Sequence, residues 1–113
     1  MIMGYSITWN YSSKPYQEGD EYESNDLNMT YNLGKMMDWA FDSPDWDKDI
    51  KGKTGKEILP MAADAFHKMA LNRKEAEQYD SPNGWGTYTD ALQFLYELIM
   101  ECQKYEDLYC DVG

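Results

Sequence analysis

The longest amphipathic stretch of the chain, between Ser81 and Tyr105, constrains its fold more than any other feature. A turn containing Gly and Pro leads there into a segment whose apolar residues recur at helical spacing. Thr87 and Asp90 have the spacing of a capping box, which predicts a helix from Tyr88 onward. The apolar stripe consists of Tyr88, Leu92, Leu95, Ile99 and Cys102, and it is widened by Ala91, Phe94 and Leu98. Such a helix needs a partner along its whole length, so we expect the hydrophobic core to form against it.

Alternation of apolar and polar residues predicts three strands. The first covers residues 5–11, and the stretch from Ser12 to Glu23 is expected to be an exposed loop or hairpin connection. The second, at 27–32, places three polar side chains along one face at steps of about 7 Å. The third, at 108–112, is expected to pair with one of the first two. The polar strand face of the second strand consists of Asn28, Thr30 and Asn32.

A first short helix is predicted directly after the second strand. Asn32 is expected to cap it at Leu33, and apolar residues then recur at helical spacing until Ser43-Pro44 ends the helix. Residues 42–52 are polar and acidic, and we expect them to form a loop in spite of Trp46.

A second helix is predicted to end near Leu71, but its start is ambiguous. Thr54 and Glu57 have the spacing of a capping box, whereas Pro60 would then disturb the second turn because it lacks an N–H. We therefore expect either a separate turn at Thr54 or a helix that begins near Pro60. The order of elements predicts an α+β fold in one small domain over residues 1–113, with three helices packed on a short antiparallel β-sheet.

The charge balance restricts the partners that the chain can bind. Ten Lys and Arg residues against 21 Asp and Glu residues give a formal net charge of −11. Contacts to phosphate require clustered Lys and Arg, so we expect no direct binding to nucleic acid or to a membrane. The sequence contains neither a secretory signal nor an apolar run of membrane-spanning length, so we expect the cytoplasm. Cys102 and Cys110 are expected to be reduced and buried there.

No residue pattern in the chain is typical of an enzyme or a metal site. His67 is the only histidine, so a catalytic zinc or a nucleophile–base pair lacks its usual residues. The acids at 45, 47 and 49 have the spacing that opens a calcium loop. However, Ile50 stands where the loop needs Gly, and Lys56 stands where it needs a bidentate Glu. We therefore expect no catalytic residues, no metal and no cofactor.

Two uncharged polar clusters are the candidates for ligand binding. One is the polar strand face, and the other is the turn at 83–86, where glycines allow close backbone approach and Trp85 offers a stacking surface. These clusters supply Asn28, Thr30, Asn32, Asn83 and Trp85 as candidate residues. The alternative is that these side chains only tie loops together and anchor the turn.

Four short segments form an ordered set along the chain. They are Gly4 to Ile7, N-M-T-Y-N at 28–32, G-K-T-G-K-E-I-L-P at 52–60 and P-N-G-W-G-T-Y at 82–88. This set resembles a widespread group of small phage and bacterial proteins that has no assigned activity. The resemblance implies a phage or mobile-element origin, and it implies that the polar and glycine residues of these segments act together. It therefore adds Thr54 and Glu57 of the capping box to the candidate ligand-binding residues. The acidic stretches at 15–26 and 45–49 depart from the pattern of the group.

Two main hypotheses about function follow, and a small enzyme whose site residues assemble from distant parts of the chain is kept as a third. In the first, a phage-encoded, non-catalytic binding protein acts on host machinery, and its polar pocket sequesters a small ligand such as a nucleotide signal. Because the chain is acidic, an anionic ligand would require Lys53 and Lys56 to line that pocket. In the second, an acidic protein–protein inhibitor uses the acidic loops 18–26 and 42–49 to imitate nucleic acid and to block a basic surface of a host defence or nucleic-acid-processing protein.

The partner is thus expected to be a small molecule or a basic host protein, and the oligomeric state is left open. Eight Met residues and exposed aromatics such as Trp46 favour a homodimer interface, and the alternative, which is commoner, is that they fill gaps in the core.

Overall fold

The alternating residues at the start of the chain form the central strand of a sheet. The computed structural model describes residues 4–12, 19–82 and 84–113. In it, a four-stranded antiparallel sheet is organised around the first strand, which pairs with each of the others. The strands are β1 (Gly4–Asn10), β2 (Tyr22–Glu23), β3 (Asn28–Thr30) and β4 (Tyr109–Val112). The C-terminal strand therefore pairs with the first strand, which is one of its two predicted partners.

β4 lies along one edge of β1, and β2 and β3 lie along the other. Ser6 exchanges both of its backbone hydrogen bonds with Gly113, whereas the Ile7 N–H donates to the Leu27 carbonyl at 2.9 Å. Successive residues of a strand direct their backbone groups to opposite edges, so β3 and β4 lie on opposite sides of β1. β2 pairs with the last two residues of β1, which also pair with β4, so β2 is on the β3 side.

Five α-helices occur in the described ranges, two more than the pattern predicts, and the α+β class is confirmed. α3 packs lengthwise against α5 and also contacts α1. The helices are α1 (Gly34–Phe41), α2 (Trp46–Ile50), α3 (Gly55–Leu71), α4 (Arg73–Glu77) and α5 (Tyr88–Lys104). α5 is the predicted long helix, and Asp90 closes its capping box by accepting from the Thr87 N–H at 3.2 Å.

The prediction of a loop over residues 42–52 is wrong, because α2 lies within this segment. Trp46 is only 1% exposed, and Ile50, one turn later, is fully buried. The Trp46 ring meets the Phe94 ring of α5 edge to face at 5.7 Å. Burial of this i, i+4 apolar pair draws a five-residue helix onto the core in spite of its acidic neighbours. Trp46 therefore contributes to the core and not to an exposed interface.

The second strand is shorter than predicted and ends in a 3-10 turn at Tyr31–Leu33. Thr30, and not Asn32, caps this turn, since its hydroxyl accepts from the Asn32 N–H at 3.4 Å. α1 consequently begins at Gly34, which leaves the Asn32 side chain available for another contact.

α3 begins at Gly55 and continues through Pro60, so neither predicted start is correct. The capping box itself is confirmed, because the Thr54 N–H donates to the Glu57 carboxylate at 3.0 Å and the Glu57 N–H donates to the Thr54 hydroxyl at 3.3 Å. Pro60 is exposed, while one face of the helix is buried at Ile58, Ala62, Ala65 and Met69. Pro60 cannot donate a backbone hydrogen bond, but burial of that face compensates for this loss and the helix is continuous.

Candidate functional site

The polar strand face and the glycine-containing turn meet at the end of β3. The Asn32 side-chain amide donates to the Trp85 carbonyl at 2.9 Å. Gly86, with φ at +121°, lies so close that a Cβ there would be 3.0 Å from the Thr30 methyl carbon and equally close to Leu33. A side chain at position 86 would strain this backbone conformation and crowd both neighbours, so glycine allows the turn to lie against β3. The Trp85 side chain remains 69% exposed.

The structure separates Thr54 and Glu57 from this junction. Thr54 forms a β-bridge with Tyr109, which pairs with Asn10 at one end of β1, whereas Thr30 pairs at the other end. The separation along the strand is about 20 Å at the usual rise per residue. Hydrogen bonds from Thr54 lower the pKa of the exposed Glu57 carboxyl, in keeping with its capping role. Asn83 lies outside the described residues.

A groove runs between the strand segment 25–30 and α5. Its first part, of about 280 Å³, begins at Asn28 and Thr30, so two of the predicted residues line it. Met29, Leu33 and Phe94 are buried at its base. From α5 it is lined by the polar side chains of Asp90, Gln93 and Glu97.

The groove continues toward the C-terminal half of α5. Gln93 and Glu97 also line this second part, of about 350 Å³. Tyr96 and Met100 add half-exposed apolar surface from α5, and Asp26 adds a carboxylate from the strand segment. The combined groove thus carries acidic side chains above apolar patches: the acids are Asp26, Asp90, Glu97 and Glu101.

Glu101 differs from the other acids because it is buried, with only 7% exposure. The Trp9 indole N–H donates to its carboxylate at 2.7 Å and ties α5 to β1. Burial raises the pKa of the Glu101 carboxyl above its ordinary value, and the hydrogen bond from Trp9 offsets part of this effect. The neighbouring Glu97 raises the pKa further, while Lys104 lowers it.

The cysteines are poorly suited to nucleophilic chemistry. Both are buried and form no disulfide. Burial raises the pKa of the Cys102 thiol to about 12 and raises that of Cys110 still more. A thiol with so high a pKa stays protonated at neutral pH. In the described ranges, no group of three or more His, Cys, Asp or Glu side chains is placed to hold a metal ion.

The α5 residues of the groove are absent from the sequence-based candidate set. On α5, Glu97 and Glu101 belong to the polar side, which by itself is typical of a solvated helix face. The available signal is the spacing of Asp90, Gln93, Glu97 and Met100 at i, i+3, i+7 and i+10, which places them along one line of the helix. The spacing of these residues does not show which strand segment lies beside them, and therefore it does not predict a groove.

No family model, no curated protein and no solved structure matches the chain. The resemblance to a group of phage and bacterial proteins therefore stays a prediction. Within the described ranges, no helix has the length and apolar character needed to cross a membrane.

Proposed function

We propose that this protein is a non-catalytic binding protein. It uses the groove beside α5 to bind a positively charged surface of a partner protein. One observation carries the proposal: carboxylates from two elements converge on a groove with an apolar base, and none of its described lining residues is Lys or Arg. Such a lining favours cationic groups and disfavours anions.

The two hypotheses drawn from the sequence differ in the sign of the ligand charge. An anionic nucleotide would require Lys53 and Lys56 in the pocket. Neither lines the groove: Lys53 precedes the cap of α3 and its Nζ donates to the Asp49 carbonyl at 2.7 Å, while Lys56 is in the first turn of α3. The second hypothesis is therefore preferred: an acidic inhibitor, phage-encoded and acting in the host cytoplasm, that covers a basic surface of a host protein.

The acids that carry this inhibition are not simply those of the two acidic loops. Residues 20–26 follow the β3 side of the sheet, whereas the segment that contains α2 packs against β4 on the opposite side. The two loops therefore do not form one continuous strip. Asp26, from the first loop, instead faces the same groove as Glu97 of α5.

Neutralising groove acids tests the proposal. In D26N/E97Q, Asn tolerates the positive φ of residue 26, and both side chains keep their approximate size. We expect this variant to bind a fluorescein-labelled Arg- and Lys-rich peptide about five-fold more weakly than the wild type at low salt, measured by fluorescence anisotropy.

D64N/E75Q is the matched control, because it removes two exposed acids from helices α3 and α4, which do not line the groove. We expect it to weaken binding by less than about two-fold, and we expect wild-type binding to decline as NaCl increases. An equal loss in both double variants would contradict binding in the groove.

A small ligand that stacks on Trp85 is the second candidate. Its support is the exposed indole of Trp85, whose backbone Asn32 holds beside the polar strand face. Thermal-shift screening of a metabolite and cyclic-nucleotide panel, with W85A as control, tests it. Stabilisation of the wild type but not of W85A would support this function, and the absence of any shift would count against it.

A further inference from the structure

The outer edge of β3 presents backbone groups that no other strand uses. In the β1–β3 pair, the Ile7 N–H bonds to Leu27, and Ser6 lies opposite Asn28. Because bonded and non-bonded positions alternate in an antiparallel pair, Leu27 and Met29 direct their backbone groups toward β1. Asn28 and Thr30 direct theirs away from it, toward the groove that both residues line.

Three of these outward groups have no hydrogen-bond partner in the described part of the chain: the N–H and C=O of Asn28 and the N–H of Thr30. The opposite edge of the sheet is closed. There, the Cys110 N–H donates to the Lys53 carbonyl, and its own carbonyl accepts from the Gly52 N–H, both at 2.8 Å. An edge with unpaired N–H and C=O groups is a template for an added strand.

The side chains beside this open edge define what kind of strand fits. Asp90 and Glu97 of α5 lie across the groove from Asn28 and Thr30, and Met29 with Phe94 forms the base between them. A segment paired with β3 would direct alternate side chains toward α5. Long cationic side chains would reach the carboxylates with their charged ends while their aliphatic stems cover the base.

We infer that an extended segment of a basic partner protein adds to the sheet as a strand along β3, with Lys or Arg side chains directed at α5. This inference rests on the proposed function and adds the binding mode. The usable edge is short, because Asp26, with φ at +56°, precedes it and the 3-10 turn follows it. Backbone pairing supplies the register, and the charges of the groove supply selectivity.

A second copy of the same chain is a poorer occupant of this edge. Two copies paired through β3 would bring Asp26, Asp90 and Glu97 of one against the same acids of the other. The repulsion between like charges opposes such a homodimer, whereas a basic segment is complementary.

A peptide probe tests the strand geometry. We would use the fluorescein-labelled peptide Arg-Val-Arg-Val-Arg and two forms of it, one methylated on the backbone nitrogens of Arg and the other on those of Val. An added strand bonds β3 through alternate residues only. Because only one edge of the peptide faces β3 and the other faces solvent, we expect one methylated form to bind about ten-fold more weakly than the parent peptide. The other form should bind with the affinity of the parent peptide.

The protein offers a matched pair of variants at Asn28. N28P removes the outward N–H, which β1 does not use, and proline is tolerated at edge-strand positions of this kind. N28A removes the same side chain, including its bond to the Asp26 carbonyl, but keeps the N–H. We expect N28P to bind the peptide about ten-fold more weakly than N28A does. Circular dichroism and thermal melting establish that both variants are folded.

The outcomes separate the binding mode from the function. If both methylated peptides bind like the parent, while D26N/E97Q still weakens binding, the strand addition is wrong and the basic partner stands. If D26N/E97Q binds the peptide and its methylated forms as tightly as the wild type does, the proposed function itself fails. A wild-type homodimer in sedimentation that N28P converts to a monomer would overturn the inference, since the edge would then belong to a second copy.

Discussion

At the scale of single residues, the contact between Glu101 and Trp9 links the core to the groove. Glu101 lines the groove near the C-terminal half of α5, and its carboxylate accepts a hydrogen bond from the Trp9 indole, which is fully buried on β1. The two residues are 92 positions apart in the chain. A buried carboxyl with one hydrogen bond is costly to ionise, so this contact makes stability depend on pH.

The pH dependence has a definite sign. Because the pKa of Glu101 is raised, the native state holds this proton more tightly than the unfolded chain does. Its contribution to stability is complete below the unfolded-state pKa and is lost as pH rises through the raised native pKa. E101Q keeps the oxygen that accepts from Trp9 but never ionises. We therefore expect the melting temperature of E101Q minus that of the wild type to become more positive as the pH is raised from about 4 to about 8.

The control for this measurement is E75Q, which removes one exposed acid of α4. The charged groups that influence Glu101 most directly, Glu97 and Lys104, remain in both variants. A difference between E101Q and wild type that stays constant across the pH range would contradict the role assigned to burial.

At the scale of elements, capping determines where the two long helices begin. Both α3 and α5 start directly after a Thr whose partner acid lies three residues later. α3 begins there although Pro60 lies inside the helix and removes one internal hydrogen bond. The stabilisation from the cap and from the buried face is therefore larger than the destabilisation caused by Pro60. The contribution of the cap can be measured with a substitution at Thr54.

We expect T54A to lower the free energy of unfolding by about 1 kcal/mol, because it removes the oxygen that accepts from the Glu57 N–H. T54S keeps that oxygen and is the control. Urea unfolding followed by circular dichroism measures both variants. Equal stability of T54A and T54S would show that the capping box does not determine the start of α3.

At the scale of the whole molecule, the excess of acids is spread over the surface beyond the groove. The formal net charge is −11, and only three ion pairs occur among the residues that the structure describes, all of them partly exposed. Self-repulsion of this kind destabilises the compact state and is screened by salt. A basic partner would relieve part of the same repulsion on binding.

We therefore expect the melting temperature of the free protein to rise as NaCl increases from about 10 mM to about 500 mM, over which the Debye length falls from about 30 Å to a few Å. Potassium chloride at matched ionic strength should have the same effect, since the mechanism is screening. A melting temperature that does not change, or that falls, would contradict net self-repulsion.

Part of the candidate site is predictable from the sequence. Alternation and glycine content separately indicate the polar strand face and the turn around Trp85, and Asn28, Thr30, Asn32 and Trp85 do come together in space. The resemblance adds Thr54 and Glu57 to them, but the structure places these two residues elsewhere. Their distance arises because β4 draws the start of α3 to the far end of β1, and no short-range pattern contains that pairing.

The elements that can be predicted from residue order are those with local signals: the alternation of β1 and β4, the apolar stripe of α5 and both capping boxes. Each of these depends on residues within a few positions of one another. Three features depend on the fold as a whole: Trp46 is buried, the Asn32 amide holds the turn at Trp85, and the edge of β3 lies open beside the acids of α5. Burial and edge pairing depend on neighbours that are distant in the chain, and these neighbours are set by packing of the whole core.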